Sequence, residues 1–182
     1  MCFSINLEDQ TPWRNRVAYK VVDVRTPHSA WPISASGIRH GERVMLDSEY
    51  NSSNHWVPGV TVKAKLKLNN GKTAKKLRYC TGKHPNSTMC NALAGVYVYK
   101  TLTRAKASCS SAQLIIQVQV DPDDFLYHGH KRIGPASVWG VGGNFSDNRR
   151  VGTYKKVRFP EDFKCWSRRI NGEWYADEFV AY

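Results

Sequence analysis

Between Tyr50 and Val120 this 182-residue chain contains no aspartate or glutamate, although it carries 15 acids elsewhere. The same stretch holds eleven lysines and arginines, including Lys63, Lys65, Lys67, Lys75 and Arg78. Those eleven charges nearly equal the net charge of +12, so the two flanks together are almost balanced. Such patterning excludes a cationic partner for the middle of the chain and predicts an anionic one. Long apolar runs are missing as well: none approaches the roughly 20 residues of a membrane helix. The first ten residues, Met1 to Gln10, are polar and acidic where a secretion signal has an apolar core. These absences lead us to expect no membrane partner and a cytoplasmic location. Internal repeats and low-complexity linkers are also missing, and the length predicts a single domain over 1–182.

Cysteine is sparse and odd in number, with Cys2, Cys80, Cys90, Cys109 and Cys165. An odd set without a secretion signal predicts reduced thiols rather than a disulfide framework. Cys80, His84 and Cys90 lack the tight paired spacing of zinc sites, so no metal is expected there. Cys2 would become an N-terminal nucleophile if Met1 were removed, but no partner motif follows it. His128 and His130 alternate beside Lys131 and Arg132, which reads as a solvated pair.

What is present is period-two alternation. In Val60-Thr61-Val62-Lys63-Ala64-Lys65-Leu66-Lys67-Leu68, apolar and polar residues take opposite faces of a strand. Asn69-Asn70-Gly71 marks a turn, and a second strand is expected from about Thr73 to Cys80. The expected product is a hairpin with a lysine ladder on its solvent face. Lysines on an exposed edge strand also discourage aggregation, so a ladder alone is ambiguous. The acid-free stretch around it favours an anion-binding footprint. A second basic cluster, Arg149, Arg150, Lys155, Lys156 and Arg158, alternates in the same way and is a candidate extension of that surface.

Elsewhere, Val17 to Val24, Arg43 to Leu46, Gly95 to Lys100, Leu114 to Val120, Tyr154 to Phe159 and Trp174 to Val180 read as strands. Thr101 to Ala107 reads as a short helix capped by Thr101. Asp121-Pro122-Asp123-Asp124 reads as a turn. The expected fold is β-rich α+β: a mostly antiparallel, twisted sheet with few short helices. Trp56, in Asn54-His55-Trp56-Val57-Pro58, is expected in a loop beside the basic hairpin, where an indole could stack on a base.

The run Gly95-Val96-Tyr97-Val98-Tyr99-Lys100-Thr101-Leu102-Thr103-Arg104-Ala105, followed by Leu114 to Val120, resembles the middle of ADP-ribosyltransferase-like domains and of small phage proteins. That resemblance covers about a third of the chain. It implies that Tyr19 and Lys20, in Ala18 to Val22, and Tyr97, Tyr99 and Thr101 line a nucleotide site, with NAD as the cofactor of a transferase. Lys20 stands where that family has arginine or histidine. Glu161, Glu173 and Glu178 are the late carboxylates from which a catalytic one would come. The expected function is binding of a phosphate-bearing ligand, a nucleotide or nucleic acid, with a phage counter-defence role by analogy. The alternatives are an NAD-dependent transferase and a basic module docking an acidic protein.

Overall fold

The computed structural model describes residues 3–6, 11–27, 38, 41, 43–48, 51–64, 80–81, 89–92, 95–131, 150–168, 174–176 and 180–181. In chain order these form β1 (Phe3–Asn6), β2 (Val17–Arg25), β3 (Arg43–Ser48), β4 (Asn51–Trp56), β5 (Thr61–Lys63), β6 (Cys80–Thr81), β7 (Met89–Ala92) and β8 (Val96–Val98). The helix α1 (Leu102–Ser108) follows, then β9 (Gln113–Gln119), β10 (Phe125–Lys131) and β11 (Arg150–Tyr154). The last strands are β12 (Lys156–Arg158), β13 (Cys165–Arg168), β14 (Trp174–Ala176) and β15 (Val180–Ala181). The β-rich, largely antiparallel architecture is the one the alternating sequence predicts. Among the described residues only β15 with β3 pairs in parallel.

The described strands fall into two sheets. A smaller one runs β6-β7-β1-β10-β11-β8, and a larger one runs β14-β13-β9-β2-β3-β15, with β4 on β3 and β12 joining β5 to β9. The longest ladder is β2 with β9, in register from Val17 opposite Gln119 to Asp23 opposite Gln113. The sheets meet where Tyr19 and Tyr99 exchange both backbone hydrogen bonds, at 2.9 and 2.7 Å.

Alternation then divides the larger sheet into two faces. Ala18, Val22 and Val24 of β2 join Leu114, Ile116 and Val118 of β9, with Val96, Val98, Trp56, Val157 and Phe159, in the main core. The opposite face presents Val21 and Ile115 to α1, whose Ala105 is fully buried against them beside Tyr99 and Cys109. Each such aliphatic side chain removed from water contributes about 1.5–3 kcal/mol. Helix α1 starts where Thr101 Oγ1 accepts the Arg104 amide at 3.3 Å, as its capping residue predicts. It packs against β2.

Three expectations change at this level. The segment Tyr154 to Phe159 is not one strand: β11 belongs to the smaller sheet and β12 to the larger. Lys155 makes the switch, its amide donating to the Asp124 carbonyl and its carbonyl accepting from Ala64, each at 2.8 Å. Trp56 does not lie in a loop. It ends β4, is 0% exposed, and its indole nitrogen donates to Ser48 Oγ at 2.8 Å. His128 is not solvated either: it is buried on β10 and stacks on Trp13 at 6.0 Å. Of the expected lysine hairpin, β5 and Ala64 lie within the described residues. Lys65, Lys67, Lys75 and Arg78 lie outside them, as do Arg149, Glu173, Glu178, Cys2 and His84.

Candidate functional site

The residues carried by the resemblance do come together. Tyr19 and Tyr99 are backbone partners, and Lys20 Nζ donates to the Tyr97 carbonyl at 3.0 Å. The same amine lies 3.3 Å from the centroid of the Tyr97 ring. Yet Lys20 and Tyr99 are only 2% and 1% exposed. Their side chains pack the joint between the sheets, which corrects the expectation that they face a ligand. A lysine buried there is tolerable because its ammonium meets a carbonyl dipole and an aromatic face rather than hydrocarbon. Thr101 is exposed, with its hydroxyl engaged in capping α1. Glu161 sits in the turn between β12 and β13 with its side chain over Gly59.

The open surface of the larger sheet is built by different residues. On β12, Lys156 and Arg158 are exposed and Val157 is buried; on β5, Lys63 is exposed and Val62 buried. The ladder between these strands sets Lys156 directly opposite Lys63, and Arg158 opposite Thr61. Arg158 also pairs with Gln119, and Gln119 with Val17, so the basic pair shares a face with β9 and β2. Further along that face come Gln117 opposite Tyr19, and then Trp166 opposite Ile115. Arg168, two residues beyond Trp166, is exposed on the same face of β13, and Lys164 just before β13 is exposed with its carbonyl on the Gln117 amide.

Like charges directly opposite each other on a ladder are destabilising, and the register sets Lys63 opposite Lys156. None of the face positions just named is acidic. Asp121, Asp123, Glu161 and Asp162 are exposed at the rim instead, in the turns that follow β9 and β12. The rim of opposite sign limits how far an anion would spread along this surface. Arg150, placed in the same basic cluster by sequence, is half-buried on β11 of the other sheet and opposite His130. It does not share this face.

A polar row at the Gln113 end of the same face was not foreseen. Gln113, Asp23, Asp47 and His55 stand side by side on β9, β2, β3 and β4. Gln113 Nε2 donates to Asp23 Oδ1 at 3.1 Å, and Arg25 Nε to Asp47 Oδ2 at 2.5 Å. His55 Nδ1 makes a short contact with Asp47 Oδ1, so the buried carboxylate has a partner on each oxygen. The segment Asn51 to His55 is too polar to read as a strand, and only its pairing with β3 shows the row. Among the described residues, no group of three or more His, Cys, Asp or Glu is placed to hold a metal. Cys109 and Cys165 are both buried, and neither is in a disulfide.

Comparison with family models, with curated proteins and with solved structures finds no match to this chain. Among the described residues, no helix is long and apolar enough to cross a membrane.

Proposed function

We propose that this protein binds nucleic acid, with the phosphates held by the basic face of the larger sheet. The observation that carries this reading is Lys63 set directly opposite Lys156, both exposed, with Arg158 next along the strand. Like charges set opposite each other on a ladder are destabilising, and an anion held by both would relieve that repulsion. The acid-free central sequence supports it, because it brings no carboxylate to compete for those cations. Residues two apart on one strand are about 6.6–6.8 Å apart, so the ladder offers charges at regular intervals to a repeating anion. A polymer fits such a row better than one small nucleotide does.

The reading is tested by fluorescence anisotropy of a labelled oligonucleotide at low salt, competed with unlabelled nucleic acid or with poly-glutamate. Nucleic acid is expected to displace the probe at far lower charge concentration than poly-glutamate. Preference for poly-glutamate would indicate an acidic protein partner, and an unchanged anisotropy with every probe would remove the proposal altogether.

A further inference from the structure

We infer that the nucleic acid bound here is single-stranded, and that Tyr19 and Trp166 form the platform on which its bases stack. This inference rests on the nucleic-acid reading above. Tyr19 and Trp166 lie on β2 and β13, either side of β9, and their rings meet edge to face at 5.7 Å and 61°. Both are half-buried, so each ring is anchored on the cluster under α1 while part of it remains open. Two aromatics fixed this way offer flat apolar area at small cost in side-chain entropy.

Their surroundings decide what the rings meet. Trp166 stands between exposed Lys164 and Arg168 along the chain, and the Lys63, Lys156 and Arg158 group lies beyond Gln119 on the same face. The rows between carry Gln117 and Gln119, whose amides both donate and accept, where an apolar docking surface would have aliphatic side chains. Cations along a sheet face with aromatic rings between them match an exposed sugar–phosphate chain with its bases turned inward. A duplex keeps its base faces stacked internally, so it would meet the cations but leave the rings unused. Val17, 38% exposed opposite Gln119, extends the apolar strip beside Tyr19.

The deciding experiment leaves the protein unaltered. Binding is measured for a labelled thymidine strand of about 12 nucleotides, within the span such platforms cover, for an abasic strand of equal length, and for the matching duplex. Stacking predicts that the abasic strand binds about ten-fold more weakly than the thymidine strand, with the same dependence on salt. Tyr19→Leu and Trp166→Leu are expected to remove most of that difference, while Tyr19→Phe retains it; circular dichroism shows that each variant is folded. Equal affinity for abasic and thymidine strands, or tighter binding of the duplex, would overturn the stacking inference and leave the cationic interface standing. If inorganic polyphosphate and all three nucleic acids fail to bind, the nucleic-acid reading falls with it.

Discussion

The Asp47 carboxylate, with its side chain 5% exposed, is stable in the interior because Arg25 and His55 each serve one oxygen. A carboxylate deprived of one such partner keeps its desolvation cost and loses the interaction that offset it. Arg25→Ala is therefore expected to destabilise the fold by about 2–3 kcal/mol, read from the urea midpoint. A change below about 0.5 kcal/mol would show that the row contributes nothing. Tyr154 supplies a second test at the same scale. Burial pushes its hydroxyl from 10.0 up to about 12, and the hydroxyl donates to Asn15 Oδ1 at 3.4 Å. A pKa raised on folding means that the native state holds the proton more tightly than the unfolded chain. Its contribution is complete below pH 10 and is lost as pH rises toward about 12. About 1–2 kcal/mol of stability should disappear over that interval. Tyr154→Phe, which has no proton to lose, is expected to flatten that part of the pH profile.

Among the elements, β11 depends on a close approach as well as on its own buried side chains. A Cβ at Gly152 would lie against the Trp13 ring, which is already stacked on His128 and tilted against Phe125. Gly152→Ala is expected to cost about 1–3 kcal/mol by displacing that indole, with a matching change in near-ultraviolet circular dichroism. Retention of both the wild-type spectrum and the melting temperature would contradict the packing described. At the start of α1, Thr101→Ala should cost about 1 kcal/mol through loss of the cap. That helix and the strands β2 and β9 were legible in the sequence, because a capping residue and an apolar, β-branched run are local signals, but their pairing was not. Trp56 was not legible: Asn51 to His55 carry no apolar alternation, and only pairing with β3 makes them a strand. Lys155 marks another limit, since a strand that changes sheets differs from a continuous one only in its distant partners, Asp124 and Ala64.

For the molecule as a whole, the basic character read from the sequence and the basic face seen in the structure overlap at Lys63, Lys156 and Arg158, and Lys164 and Arg168 complete the face. Lys156, Arg158, Lys164 and Arg168 come from outside the acid-free stretch and are brought beside it by the pairing of β5, β12, β9 and β13. Composition led us to expect an anionic partner, while the surface proposed to meet it required the topology. The nucleotide cluster expected around Lys20 and Tyr99 became instead the joint where the two sheets fuse. Its aromatic and amine side chains resemble ligand-binding chemistry in sequence because a buried joint uses the same contacts.

The measurement that bears most directly on the basic face is the salt dependence of oligonucleotide binding, for wild type and for the Lys63→Gln, Lys156→Gln pair. Each phosphate neutralised on a single strand contributes about −0.7 to the slope of log K against log salt. The paired substitution should weaken binding uniformly across sequences and make that slope shallower by about 1.4, with no loss of melting temperature. An unchanged slope and affinity in the folded double variant would contradict a nucleic-acid interface on this face.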